Sequence, residues 1–297
     1  MRRLLLAIAS LCLATRAAGE PAPIIGGTEA TVGQFPTVVA LTVGGGICTG
    51  TLIHREWVLT AAHCITPSVV QLPSQDAVTE AIRVHVGTVD LRQSAGDVYT
   101  ASMTIPKPGF SIGSLGRHDI GLVKLARPVT AIAPTPVNLD PARAPVGTTV
   151  TMVGFGATDQ EGLGTIGVEF VLEGRTSTPC APYGGSDEDL LCFSQVDDKG
   201  KCRGDSGGPS LARIDGVLTV VGVTSFGDQQ CAQFGVDTRT DVEREFLETH
   251  IPDLEPADGA GAGCCAASGR GAPAMLLGIA VVGLALRRRR RRSAREA

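Results

Sequence analysis

Charged side chains are scarce in this sequence: Asp, Glu, Lys and Arg together make up only 19% of the 297 residues. This scarcity argues against long helices with charged surfaces, and the chain has no internal repeats. Hydrophobic residues account for 43%, which excludes a disordered chain and a small scaffold held by disulfides alone. Thirty-eight glycines and eighteen prolines favour short strands joined by many turns, so we predict an all-β fold.

Basic residues are scarce in the middle of the chain. Residues 1–19 carry three Arg and no acid, and residues 264–297 carry eight Arg and one Glu. The segment between these two ends therefore holds 15 basic and 29 acidic residues. Because proteins bind nucleic acids mainly through basic side chains that contact phosphates, we expect no nucleic-acid partner.

The N-terminus has the layout of a secretory signal peptide. Arg2 and Arg3 precede an apolar run at 4–15, and small residues follow at 17–19. We predict a signal peptide over 1–19 rather than a buried N-terminal helix, and a short propeptide at 20–23. Six of the nine cysteines lie in the body of the chain, an even number as disulfides require. We therefore expect an exported protein, at the cell surface or extracellular.

An apolar segment and a basic block follow the body of the chain. Residues 272–286 carry no charge, and Arg287–Arg292 open a basic cytoplasmic tail at 287–297. Fifteen helical residues rise about 22 Å, which is short for a hydrocarbon core of about 30 Å. Upstream lies a Gly/Ala-rich linker, 253–271, with a Cys pair at 264–265. The arrangement resembles the myxobacterial C-terminal sorting signal (MYXO-CTERM), which implies a transient membrane anchor cleaved near the cysteines; an ordinary single-pass anchor is the alternative.

Four short motifs in the body carry residues suited to catalysis. In chain order they are Ile24-Ile25-Gly26-Gly27, Thr60-Ala61-Ala62-His63-Cys64, Asp119-Ile120-Gly121-Leu122 and Gly204-Asp205-Ser206-Gly207-Gly208-Pro209. Together, in the order His, Asp, Ser, they resemble the chymotrypsin/trypsin family of serine proteases. The resemblance implies a protease domain at 24–252, built as two antiparallel six-stranded β-barrels (chymotrypsin-like) with a C-terminal helix and the active site between the barrels.

The resemblance implies a catalytic triad of His63, Asp119 and Ser206. A serine hydroxyl is a weak nucleophile without a base, and a histidine can take its proton and later return it to the leaving amine. Asp119 begins an apolar strand, where its desolvated carboxylate would orient His63. The amides of Gly204 and Ser206 would form an oxyanion hole. The remaining histidines are expected at the surface or in loops: His54, His85, His118 and His250.

Activation by proteolysis is also implied. In the family, cleavage before Ile24 frees an ammonium group that pairs with the acid preceding the nucleophile, here Asp205; breaking such a buried pair costs about 3–5 kcal/mol. We therefore expect a zymogen. Pro23 stands where the family has a basic residue, which puts activation by a trypsin-like enzyme in doubt. Because the remnant 20–23 consists of two dipeptides ending in Pro, we predict trimming by a proline-specific dipeptidyl peptidase.

The six body cysteines fit three family disulfides. Sequence alone allows fifteen pairings, and the resemblance implies Cys48–Cys64, Cys180–Cys192 and Cys202–Cys231. No cofactor and no metal site is expected. The pair at 264–265 lacks His partners, and Asp76 and Glu80 alone do not define a calcium site.

In the family that the motifs resemble, the substrate pocket sets specificity. The residue two before Cys202, at the pocket floor in this family, is Gly200, and without a carboxylate there a P1 Lys or Arg would be buried unpaired. Asp198 would restore basic specificity only if the loop shifted by two residues. Gly227 and Gly235 match the two wall positions and leave the mouth of the pocket open, so we expect a medium or large apolar P1 side chain.

Lys201 leaves a second possibility for the pocket. Its ammonium group could reach inward and favour an acidic P1 residue, or it could extend to solvent, which we favour. Ser225, Phe226 and Gly227 resemble the segment that pairs with extended substrate as an added strand.

Several short β-branched runs bounded by turn residues predict strands at 37–43, 150–153, 168–172 and 217–223. The two barrels would divide near 134–141. Apolar residues at helical spacing, including Val242, Phe246 and Leu247, predict a helix over 241–251. Residues 67–81 are expected to form a loop.

These observations favour an exported, monomeric serine endopeptidase with protein or peptide substrates and membrane contact through 272–286. Two alternatives stay open: a catalytically inactive, protease-like surface binding module, and a serine esterase, since the same acyl-transfer groups serve both reactions. An intact triad favours an enzyme over a binding module.

Overall fold

The computed structural model describes residues 24–113, 116–159 and 166–254, and strands dominate their regular structure. The first strand, β1, is short (Thr28–Glu29). Several predicted segments lie outside the described residues: the signal peptide 1–19, the propeptide 20–23, the linker 253–271 beyond residue 254, the apolar segment 272–286 and the basic tail 287–297. These segments therefore remain predictions.

The N-terminal half of the body forms a closed, antiparallel, six-stranded barrel. Its strands are β2 (Val38–Val43), β3 (Gly46–His54), β4 (Trp57–Thr60), β5 (Arg83–Val86), β6 (Asp97–Pro106) and β7 (Gly121–Leu125). They pair in the order β2-β3-β4-β7-β6-β5, and β5 returns to β2. Leu41, Leu52 and Leu59 are fully buried, as expected where side chains fill a small barrel.

The C-terminal half forms a second antiparallel sheet, of seven strands. It combines β1 with β8 (Thr149–Gly154), β9 (Phe170–Thr176), β10 (Leu190–Ser194), β11 (Pro209–Ile214), β12 (Val217–Gly227) and β13 (Phe234–Arg239). The order is β1-β9-β8-β11-β12-β13-β10. The all-β class is confirmed, but this sheet is a curled half-barrel rather than a closed six-stranded barrel. Within the described residues its two edge strands, β1 and β10, do not pair with each other.

The main hydrophobic core fills the closed barrel and also includes residues of β8, β9, β11 and β12. The core of the closed barrel continues to the C-terminal helix through Phe246 and Leu247. A second cluster, in the seven-stranded sheet, contains Met152, Phe193 and Ile24. The first motif of the body is thus part of a core, with Ile24 only 1% exposed.

Short helices appear where a loop was expected. Residues 67–81 contain α1 (Pro67–Val70) and α2 (Gln75–Ala81). Ser74 Oγ caps α2 by accepting a hydrogen bond from Ala77 N at 3.1 Å, and Val78 anchors the helix in the barrel core. The loop prediction is wrong because one buried residue and one cap are too weak a pattern to recognise in the sequence.

The C-terminal helix is confirmed, although it is shorter than predicted. A 3₁₀ turn (Asp241–Glu243) precedes α3 (Arg244–His250). Phe246 and Leu247 are buried, whereas Val242 is 41% exposed, because a 3₁₀ turn does not keep the α-helical spacing. Within the described parts of the chain, no helix is long and apolar enough to cross a bilayer.

Glu169, just before β9, places a carboxyl group in the protein interior. The residue is 2% exposed, and its Oε1 has no hydrogen-bond partner among the described residues. Burial raises the pKa of Glu169 from 4.5 to about 8, because a carboxylate is poorly solvated there. At pH 7 the folded protein therefore holds this group protonated, whereas the unfolded chain ionises it.

Glu169 should make the protein less stable as the pH rises from about 4.5 to about 8, since only the unfolded state releases the proton in that window. We expect Glu169→Gln to raise the free energy of unfolding by about 4 kcal/mol more at pH 8 than at pH 4. Urea denaturation at both pH values measures this difference. Glu173→Gln, on the exposed side of β9, is the matched control; an equal effect of Glu169→Gln at both pH values would contradict the assignment.

Candidate active site

Two neighbouring strands of the closed barrel bring His63 and Asp119 together. β4 ends at Thr60 and β7 begins at Gly121, and these two residues face each other in the antiparallel register. His63 follows β4 in the 3₁₀ turn Ala62–Ile65, and Asp119 lies two residues before β7. Because the end of one antiparallel strand lies beside the start of its neighbour, both residues emerge at one edge of the barrel.

The Asp119 carboxylate holds His63 at two points. Oδ2 lies 2.7 Å from Nδ1 of the ring, and Oδ1 accepts a hydrogen bond from the His63 backbone N at 2.9 Å. Asp119 is buried, with 2% exposure, whereas His63 is partly exposed. With Nδ1 engaged, Nε2 is the ring nitrogen left to accept a proton. The pair has the geometry of an oriented general base.

Ser225 also contacts this carboxylate. Its Oγ, on β12, donates a hydrogen bond to Asp119 Oδ2 at 2.6 Å. The resemblance assigns Ser225 to the substrate-pairing segment, and the contact was not predicted because the two residues are 106 positions apart. Ser225 therefore joins the seven-stranded sheet to the carboxylate of the closed barrel.

Ser206 lies on a tight loop, 204–208, before β11. Gly207 has φ of +82°, in the left-handed region that favours glycine. A Cβ atom there would lie only 2.1 Å from Thr60 Oγ1, and Ser206 O accepts a hydrogen bond from Thr49 N at 2.8 Å. The missing side chain thus lets the serine loop pack against β3 and the end of β4, the strand that leads to the histidine.

Asp205, next to the serine, is buried among backbone donors. Its Oδ2 accepts a hydrogen bond from Cys202 N at 2.8 Å, and its Oδ1 accepts one from Gly156 N at 2.9 Å. Burial raises the pKa of Asp205 to about 6, and the two backbone hydrogen bonds oppose that shift. This carboxyl group therefore fixes the chain that carries the predicted oxyanion amides, Gly204 and Ser206.

The first motif of the body lies beside the same loop. Ile24 and Ile25 are 1% and 6% exposed. Ile25 O accepts a hydrogen bond from Gly200 N at 2.9 Å, and these two residues form an isolated antiparallel bridge. Ile25 also packs in a small cluster with Cys202 and Cys231. Cleavage before Ile24 would thus act close to the loop that holds Asp205.

Three disulfides join the six body cysteines: Cys48–Cys64, Cys180–Cys192 and Cys202–Cys231. This is the pairing that the resemblance implies. Ligand atoms of Cys48, His63 and Cys64 lie within 4.8 Å of one another. Because sulfurs in a disulfide provide no thiolate, this group does not suit a metal ion.

A cleft beside Ser206 contains several residues assigned to the substrate pocket. Ser225, Phe226 and Gly227 line it from β12. Gly227 faces Gly235 directly across the pairing of β12 with β13. The two predicted wall glycines therefore lie opposite each other, and the three-residue segment of β12 borders the nucleophile.

The residue predicted at the pocket floor is a glycine in the protein interior. Gly200 is buried and Asp198 is exposed. The exposure of Asp198 gives no support for a two-residue shift that would place its carboxylate at the floor. Gly200 and Gly235 are not among the residues that line the cleft.

Lys201 takes neither of the orientations expected for it. Its side chain is 4% exposed, and Nζ lies 2.6 and 2.7 Å from the Asp237 carboxylate oxygens and 2.9 Å from Ser210 Oγ. Burial lowers the pKa of Lys201, and the charge of Asp237 opposes that shift. The expectation of a solvent-facing ammonium is wrong because Asp237, which lies in none of the motifs, offers a buried partner.

The other histidines have contacts of their own. Their contacts include Asp253 for His54, Thr42 for His85, Glu243 for His118 and Phe246 for His250. His118 precedes Asp119 in the chain, but its ring Nδ1 lies 2.7 Å from Glu243 Oε1. The ring of His118 is thus directed toward the 3₁₀ turn before α3.

Comparison with known proteins agrees with this geometry. The model of the trypsin family matches residues 24–246. Serine protease SP24D of Anopheles gambiae is 32% identical over 225 residues, covering 73% of this chain and 76% of that protein. CLIP domain-containing serine protease B14 of Anopheles gambiae is 30% identical over 257 residues, covering 72% and 67%. The chain therefore belongs to the trypsin family of serine-type endopeptidases.

Longer relatives match only through part of their length. The hepatocyte growth factor activator serine protease of Canis lupus familiaris is 28% identical over 255 residues, covering 79% of this chain and 38% of that protein. The chain spans about a third of the length of the relatives of this name from dog, mouse and human.

Replacement of Asp119 by Asn tests the role of the buried carboxylate. We expect kcat to fall by about 10⁴-fold, the loss typical of this substitution in the family's triad, because the amide no longer holds the His63 ring in the required tautomer. Asp253→Asn is the matched control, since Asp253 also contacts a histidine, His54, but its side chain is 79% exposed. Peptidase kinetics and thermal melting measure both variants. Activity of Asp119→Asn within tenfold of the parent would refute the assignment.

Proposed function

We propose that this protein is an exported serine endopeptidase that hydrolyses peptide bonds through an acyl-enzyme on Ser206. The observation that carries the proposal is the buried Asp119 carboxylate, which contacts both Nδ1 and the backbone N of His63. Membership of the trypsin family supports protein or peptide substrates. The three disulfides support export to an oxidising compartment.

In the first half of the reaction, Ser206 Oγ attacks the carbonyl carbon of the scissile bond and its proton passes to Nε2 of His63. The oxyanion that forms accepts hydrogen bonds from the amides of Gly204 and Ser206. Asp119 stabilises the imidazolium without taking its proton. The C–N bond then breaks, His63 gives its proton to the leaving amine, and an ester to Ser206 remains.

The second half uses the same groups with water as nucleophile. His63 removes a proton from water as its oxygen attacks the ester carbonyl, and the same two amides receive the second oxyanion. Collapse returns the proton to Ser206 Oγ and releases the carboxylic acid. The sum is hydrolysis of one amide bond with the enzyme regenerated.

We further propose that the chain is made as a zymogen. The Asp205 carboxyl group is buried, and burial raises its pKa to about 6. An ammonium group freed at Ile24 would favour the charged carboxylate and lower that pKa. Pro23 and the dipeptide pattern of 20–23 support removal of this remnant by a proline-specific dipeptidyl peptidase.

We also propose that the enzyme prefers substrates with an apolar residue at P1. The buried Gly200 offers no carboxylate for Lys or Arg, and the Lys201 ammonium is occupied by Asp237, which removes support for an acidic P1. We also propose that the protein is a monomer, that it does not bind nucleic acid, and that residues 272–286 contact the membrane transiently.

Labelling and proteolysis together test the proposed activity. Protein that begins at Ile24 should react with a fluorophosphonate at Ser206, as located by mass spectrometry, and should cleave casein; Ser206→Ala should do neither. Ser102→Ala, an exposed serine on β6 outside the cleft lining, should keep the labelling. Failure of the parent to label favours an inactive binding module, and labelling without cleavage of casein favours an esterase.

Activation should depend on where the chain begins. We expect protein starting at Glu20 to have less than about 1% of the activity of protein starting at Ile24, because the ion pair of about 3–5 kcal/mol cannot form without a free amine. Active-site titration of both forms measures this ratio. Asp205→Asn in the form that starts at Ile24 should lower activity to a similar extent. Equal activity of the two parent forms would refute the zymogen proposal.

A further inference from the structure

Gln195 is a buried glutamine that no motif singles out. It follows β10 and is 0% exposed. Its Nε2 donates hydrogen bonds to Lys201 O at 3.1 Å and to Cys231 O at 2.9 Å, and its Oε1 accepts one from Lys201 N at 2.9 Å. Three hydrogen bonds to backbone groups fix the carboxamide in one orientation. Such a side chain is a rigid part of its surroundings.

The carboxamide fills the space in front of two glycines. A Cβ atom at Gly200 would lie 2.2 Å from Gln195 Cδ and 2.2 Å from Oε1, and a Cβ atom at Gly235 would lie 2.5 Å from Oε1. Atoms in proteins do not approach this closely without repulsion. Gln195 therefore occupies the volume into which side chains at these two positions would project.

We propose that Gln195 closes the base of the P1 pocket and is the residue that sets its depth, so that aliphatic side chains up to the size of Leu or Met are preferred over aromatic and charged ones. The inference rests on the proposed peptidase function and sharpens its apolar P1 preference. It follows from the pocket assignment of Gly200 as floor and Gly235 as wall, since both face the carboxamide.

The charged groups near Gln195, Lys201 and Asp237, also support this proposal. Lys201, whose backbone N and O hold Gln195, directs its ammonium group to Asp237 on β13 and Ser210 on β11. Asp237 is 0% exposed and contacts Nζ with both carboxylate oxygens. An acidic P1 side chain would therefore meet an amide whose two donors are already used, and a basic one would find no carboxylate, since Asp237 is paired with Lys201.

A series of peptide p-nitroanilides that differ only at P1 (Ala, Leu, Met, Phe, Arg, Glu) tests the proposal on protein that begins at Ile24. For the parent we expect kcat/KM for Leu to exceed that for Phe by about tenfold, and those for Arg and Glu by about 100-fold. Gln195→Ala removes the carboxamide and should raise the Phe/Leu ratio of kcat/KM about tenfold. Active-site titration with the fluorophosphonate corrects each rate for the folded fraction.

Two further variants separate pocket depth from stability. Gln195→Met keeps a side chain of similar length and should keep the Phe/Leu ratio of the parent, even if thermal stability falls. Gln75→Ala also deletes a glutamine with two hydrogen bonds, to Ile65 O and Thr104 Oγ1, and should leave the ratio unchanged.

Several results would overturn the inference while leaving the peptidase proposal standing. One is a parent enzyme that cleaves after Phe or Arg as well as after Leu. Another is a Phe/Leu ratio of kcat/KM that is unchanged in titrated Gln195→Ala. A third is a Phe/Leu ratio in Gln195→Met that equals the ratio in Gln195→Ala. If Gln195→Ala does not fold, the P1 preference of the parent and the Phe/Leu ratio of Gln195→Met test the proposal. A parent that neither labels nor cleaves any substrate would refute the peptidase function, and this inference with it.

Discussion

The buried contact between Asp119 and His63 is the interaction on which the rest of the site depends. Both carboxylate oxygens contact the same histidine, one at the ring and one at the backbone. The contact exists because β4 and β7 are neighbours in the closed barrel, so the barrel register sets the ring orientation. Ser225 adds a donor from the seven-stranded sheet. The carboxylate is thus one of the places where hydrogen bonds join the closed barrel to the seven-stranded sheet.

Motifs identified the family more reliably than local patterns predicted the bounds of strands and helices. The order of His63, Asp119 and Ser206 indicated the family, and the resemblance to it implied the disulfide pairing, whereas the glycine and proline content predicted the all-β class. Short patterns were less reliable: the run at 168–172 lies partly before β9, and 67–81 contains two helices rather than a loop. Local propensity does not determine which short segment a barrel core will anchor, because that depends on contacts distant in sequence.

The buried polar groups of the second half could not be predicted from the sequence. The partners of Lys201 and Gln195 come from strands and loops up to 36 positions away. No motif links these residues, and burying a lysine is unfavourable unless a partner is placed for it. Their arrangement gives the floor of the proposed pocket a neutral amide, although a lysine and an aspartate lie directly behind it.

A crystal structure of the processed protein, inhibited with a peptidyl phosphonate, tests the central claim most directly. We predict a covalent bond from phosphorus to Ser206 Oγ, His63 Nε2 within about 3.2 Å of that oxygen, and the phosphonyl oxygen bound to the amides of Gly204 and Ser206. A structure with the ring held by Asp119 but Nε2 more than about 4 Å from Ser206 Oγ would contradict the account.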